Sequence, residues 1–231
     1  MVNEELLLIP ALVFSCSVLT LYYIYFYSRI FCSKDYSIQF NKNCRSMRAW
    51  VDRHLKKQDA STVQQAVQSL RNMILVGAFV GGNAVNVAFN SANSIDPRNF
   101  QSFDYLIYMK DVRALIIAVL LFGSFLNWIL VMRYAGELSF VIDFTSEAQR
   151  LALALNPSPS FDESLHNSLR AEKIGKLANK LIFHFSVAFR FMYASIPFAF
   201  LSVGPIALIV STVVMMAFHY DHDFGKYSIK D

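Results

Sequence analysis

Four long runs of residues with almost no charge constrain this chain more than anything else in it: Leu6–Tyr27, Met73–Phe89, Val112–Met132 and Phe191–Phe218. A helix crosses a hydrocarbon core with about 20 apolar residues. The expected class is therefore all-α, a polytopic membrane protein with four transmembrane helices in a single domain over residues 1–231. Met73–Phe89 is short, but Ser61–Asn72 before it continues the helical pattern. Phe191–Phe218 is long: at about 1.5 Å per residue it would reach roughly 42 Å, against a core of about 30 Å. Pro197 and Pro205 lie inside it, each removing an intrahelical donor, so one long kinked helix is expected. Arg190 would cap one end and His219–Asp223 the other.

Only 16% of the 231 residues are charged and 55% are hydrophobic, which leaves little for a large domain outside the membrane. A scattered net charge of +4 argues against a nucleic-acid partner. Cys16, Cys32 and Cys44 form neither a metal nor a disulfide pattern. Met1–Glu5 has no basic segment and the run after it has no small-residue exit, so a retained first span is expected rather than a cleaved leader.

Charge sets an expected orientation. Between Ser28 and Asn72, basic residues outnumber acids nine to three; between Arg133 and Arg190, seven to six. Asn90–Asp111 and the tail from His219 are net acidic. The positive-inside rule then puts both basic loops inside and both termini on the outer, intermembrane or luminal side. The inner loops carry helical patterns. Ser61–Gln64 has capping-box spacing, so the second helix is expected to protrude from about Ser61. Pro157 and Pro159 mark a break, after which Ser160 caps an amphipathic helix over Phe161–Leu181. Its apolar side is Leu165, Leu169, Leu177 and Leu181; its basic side is Arg170, Lys173, Lys176 and Lys180. Such a helix lies on an anionic membrane surface or docks on a partner.

Two stretches carry a family resemblance: "AVQSLRNMI" at Ala66–Ile74 and "FRFMYASIPFAFLSVGP" at Phe189–Pro205. Ala66, Gln68, Leu70, Arg71 and Asn72 enter the second span; Arg190, Tyr193, Pro197, Gly204, Pro205 and Asp221 mark the last. The chain resembles the domain of unknown function 599 family, small four-span membrane proteins of plants and bacteria. The resemblance implies the four-span architecture and no particular activity.

Asn83, Asn86 and Asn90 share one helical face of the second span, and Asn127 sits inside the third. Amides in lipid need partners. Two readings stand: helix packing, with Gly77 and Gly81 meeting Gly123 and Ser124, or a solute path. Arg71 and Arg190 fall at the inner interface, where with Asn72 and Tyr193 they can clamp the phosphate of an anionic lipid such as cardiolipin. Arg113 falls at the outer interface. No histidine lies inside the first three spans, and His184, His54 and His166 do not make a haem pair. His219, Asp221, His222 and Asp223 are expected to be a polar helix cap rather than a metal site. No catalytic fingerprint occurs.

The expected function is that of a non-catalytic accessory subunit of a larger membrane complex, respiratory or ATP synthase complexes being the first candidates. It would bind anionic lipid and hold no other cofactor. The mitochondrial inner membrane is the expected address, since outward segments lack N-glycosylation sequons. The alternative is a small oligomeric transporter or channel, its path lined by Asn83, Asn86, Asn90 and Asn127.

Overall fold

The computed structural model describes residues 4–32, 39–56, 60–95, 105–155 and 161–224. All the regular structure described is α-helical: α1 (Glu4–Cys32), α2 (Gln39–Lys56), α3 (Ala60–Asn93), α4 (Tyr105–Leu155), α5 (Phe161–Phe200) and α6 (Pro205–Phe224). Four segments are long and apolar enough to cross a membrane: Leu7–Ile30, Val63–Asn93, Lys110–Ile142 and Ile174–Phe200. The protein is thus all-α with four long apolar helices consistent with transmembrane spans. The break read at Pro157 and Pro159 and the cap at Ser160 lie outside the described residues.

Three expectations are corrected. First, Phe191–Phe218 is not one helix. α5 ends at Phe200, Leu201–Val203 form a turn, and α6 begins at Pro205. Gly204 has φ +145°, a backbone state that residues with a Cβ rarely adopt. Pro205 then fills the first helical position, where its missing N–H costs nothing. Pro197, by contrast, is absorbed within α5. Secondly, the amphipathic helix expected over Phe161–Leu181 is the first half of α5 and continues into the fourth apolar segment. Of the expected apolar side Leu181 is completely buried, with Ile174 and Ala178 beside it, and Leu177 is half-buried; the side chains of Leu165 and Leu169 lie outside the described residues. Thirdly, α4 does not stop near Met132 but runs to Leu155.

The chain divides into two compact units. The second comprises Lys42–Gly81 and Asn127–Ser186. Its buried residues recur at steps of three and four: Val63, Ala66 and Leu70 on α3; Trp128, Val131, Ala135, Leu138 and Ile142 on α4; Ile174, Ala178 and Leu181 on α5. That period keeps one face of each helix toward its neighbours. Trp128 meets Phe185 edge-on, centroids 5.4 Å apart. Arg48 of α2 donates to Asn179 of α5 at 3.0 Å.

The first unit comprises Met1–Asn41, Gly82–Leu126 and Val187–Asp231. Here α1 and α6 lie side by side and run in the same direction: Ser15 meets Thr212, Tyr22 meets Asp223, and Tyr25 meets Phe224. α5 runs against both, since Phe198 and Leu201 pack with Leu8, Ala11 and Leu208, whereas Arg190 reaches Phe26 and Asp223. Within the core, Thr212 Oγ1 is 2.7 Å from the Leu208 carbonyl and 3.0 Å from Ser15 Oγ. With one hydrogen each, Thr212 donates to the carbonyl and Ser15 donates to Thr212, leaving neither buried hydroxyl unmatched.

Candidate functional site: a buried ion pair beside an amphipathic slot

The turn at Leu201–Gly204 brings two distant charges together. Arg190 on α5 donates from Nη1 to Asp223 Oδ2 at 2.9 Å and from Nη2 to Oδ1 at 2.6 Å. This two-point fork is the strong form of the guanidinium–carboxylate contact. The Arg190 side chain is 8% exposed and that of Asp223 only 2%. Tyr22 on α1 also donates to Asp223 Oδ2. Tyr23 donates to the Arg190 carbonyl at 3.0 Å. The guanidinium carbon lies 3.6 Å from the Phe26 ring centroid, close enough for a cation–π contact. His219, 3% exposed, stacks on Tyr22 and touches Tyr23 and Tyr193. Its Nε2 has no hydrogen-bond partner among the described residues.

A carboxylate in the last turn of a helix opposes the helix dipole by about 0.3–1 kcal/mol. Asp223 sits there because Arg190 needs it: one unpaired buried charge is far more costly than that. Three helices are fastened at this point, α5 and α6 through the ion pair and α1 through its two tyrosines.

Beside the pair lies a cavity of about 320 Å³. Its walls change character along its length. Tyr23, Tyr27 and Arg190 stand at one end; Leu19, Ile116, Leu120 and Phe198 line the remainder. From Cys16 to Tyr27 the α1 wall runs about 16 Å at the helical rise. The slot is therefore long, narrow and polar at one end. Its volume is at the lower limit of ligand pockets, about 300–1,000 Å³. That is room for a single hydrocarbon chain and not for a whole two-chain lipid.

The residues picked out by sequence are redistributed. The Arg190 fork, expected to grip a phosphate with Arg71, is engaged by Asp223. Arg71 is exposed and belongs to the second unit; Asn72, also exposed, accepts from Gln68 at 3.3 Å. Tyr193 stacks on Phe189 and tilts against His219. Gly123 and Ser124 belong to the first unit and Gly77 to the second. Ser124 donates to the Ala188 carbonyl at 2.8 Å, and a Cβ at Gly123 would meet the Phe191 ring at 3.3 Å; both pack on α5. Gly77 lies under Trp128 and Met132, and Gly81 is buried. Asn127 pairs with His184 Nδ1 at 3.0 Å. Asn83, Asn86 and Asn90 are exposed.

His219 and Asp223 are buried while Asp221 and His222 are exposed, so the four do not meet. No metal-ligating cluster of three forms among the described residues. Asp111, counted with the outer loop in the sequence, is 1% exposed at the start of the third apolar segment, with Oδ2 unpartnered among the described residues. Tyr22, Tyr23 and Asp223 are the site residues hardest to see in the sequence. The tyrosines lie within the first apolar run with nothing in the pattern to single them out, and Asp223 reads as part of a polar cap.

The model of the family described as "Protein of unknown function, DUF599" matches residues 11–227. The chain belongs to the DUF599 family. The matched region takes in every residue of the ion-pair site and the slot. Nothing matches among curated proteins or among solved structures. For this DUF599 protein the site must therefore speak through its own chemistry.

Proposed function

We propose that this protein is a non-catalytic integral membrane protein that holds one lipid chain and serves as a structural subunit of a larger membrane assembly. The slot beside Arg190 carries the reading. A groove that is apolar along its length and bears phenols and an arginine at one end matches an acyl chain with its head group at that end. Arg29, in the last turn of α1, adds positive charge on the same side and favours an anionic head. The ion pair neutralises Arg190 locally and Tyr23 already donates to the Arg190 carbonyl, so hydrocarbon fit carries the binding, in place of a phosphate clamp.

The topology proposed derives from the hairpin. The basic segments face the cytoplasm or matrix, and the start of α1 faces the opposite side. Because α6 runs with α1, its His219–Asp223 end lies on the basic side. α6 has 20 residues, about 30 Å, and is proposed as a fifth, returning crossing beside the four segments whose length and apolarity suffice alone. The mitochondrial inner membrane, with cardiolipin as the anionic lipid, is the proposed setting.

Native mass spectrometry of the protein released from mild detergent tests the slot. One retained lipid per chain is expected. Ala194→Phe or Leu120→Trp, which fill the cavity, should remove that lipid while the far-ultraviolet helix signal stays unchanged. Equal lipid retention in wild type and both variants would overturn the slot. The subunit role fails separately if tagged protein, extracted gently, never carries another polypeptide.

A further inference from the structure

On the part of α3 in the first unit, the packed face is Ala84 and Ala88. At 100° per residue, Asn83, Asn86, Asn90 and Asn93 stand on the opposite side of the helix, and all four are exposed. Their spacing is three, four, three. Steps of four and three in turn make a 3.5-residue repeat, the period with which one helix follows another in a left-handed pair. This seam contains no charged residue.

Asn83, three turns inside the end of the apolar segment, is out of reach of bulk water in a bilayer. Lipid offers an amide no hydrogen bond, so a row of them facing outward needs a protein cover. The geometry points to a second copy of this chain as that cover: we propose that the protein is a parallel homodimer paired through the α3 asparagine seam. Copies inserted in one membrane share one orientation, so their two-fold axis lies along the membrane normal. In such a pair every seam residue meets its own counterpart. An Asn amide carries both donor and acceptor, so it satisfies its own copy. Layers of Asn at core positions also fix register and favour a defined oligomer. A purely apolar partner would leave the amides unmatched, and a charged one would match only half of each amide while bringing its own charge into the lipid.

This rests on the membrane insertion proposed above and is independent of the lipid slot. The test is oxidative cross-linking in native membranes, after alkaline extraction shows the protein to be membrane-integral. Single cysteines replace Asn83, Asn86 or Asn90 on the seam, and Ala92 or Val214 as exposed controls off it. Dimers are expected at the three seam positions and not at the controls. Each Asn→Leu change should weaken dimerisation about threefold to twentyfold. The triple Asn83, Asn86 and Asn90→Leu variant should then be monomeric where wild type is dimeric. Equal cross-linking on and off the seam, adducts to a different polypeptide, or a triple variant as dimeric as wild type would overturn the proposal. Failure of alkaline extraction to leave the protein in the membrane would instead overturn the insertion itself.

Discussion

At the scale of single residues, the pairing of Arg190 with Asp223 is the strongest local constraint. Removing one partner leaves the other charge buried and uncompensated, at a cost of about 3–5 kcal/mol. Asp223→Asn and Arg190→Leu should each lower the thermal midpoint in detergent markedly. The exchange Arg190→Asp with Asp223→Arg should recover part of the loss, because the fork re-forms in reverse. Single variants as stable as wild type would mean that the pair fastens nothing. This contact is not legible in the sequence. The two residues are separated by 33 positions. Whether they meet depends on the direction α6 takes after Gly204, and no hydrophobic pattern encodes that direction. The dipeptide Gly204–Pro205 is visible, yet a proline after a glycine is compatible with a kink or with a reversal. The φ of +145° at Gly204 belongs to the reversal.

At the scale of elements, the first three apolar runs announce their helices, because their length and uniformity can be read directly. The chain beyond Met132 cannot be read in that way. Arg133 and Glu137 interrupt the apolar run, but at a spacing of four they pair at 2.9 Å on the helix surface and let α4 continue. Packing partners are equally hidden. Similarity of size matches Gly77 to Gly123, whereas Gly77 accommodates Trp128, the largest fully buried side chain described. A Cβ at Gly77 would stand 3.0 Å from Met132 Cγ and 3.2 Å from Trp128 Cε3. Gly77→Leu should therefore destabilise the protein by about 1–3 kcal/mol through overpacking. A Cβ at Gly136, on α4, would meet nothing within 4 Å. Gly136→Ala should be neutral or stabilising by up to about 1 kcal/mol, from helix propensity alone. Thermal unfolding of the two variants side by side decides it; equal effects would show that contact at Gly77 does not limit the packing.

At the scale of the whole molecule, the hairpin of α5 and α6 underlies everything proposed for the first unit. It supplies the carboxylate for Arg190 and aligns α6 with α1. It also holds α5 against α1 where the slot's walls meet. Composition and charge bias in the sequence lead to an even number of crossings with both termini outside. That reasoning is sound for four spans, but it treats 28 apolar residues as one element. In the topology proposed, two helices of opposite direction carry the tail to the other side. Epitope tags at each terminus, with a cysteine label at the exposed Arg45 of α2 as the inner reference, measure this directly in sealed vesicles. The C-terminal tag should be reached from the same face as the Arg45 label, and the N-terminal tag from the opposite face. Both termini reached together from the face opposite Arg45 would contradict the hairpin, and with it the Arg190–Asp223 pair and the slot beside it.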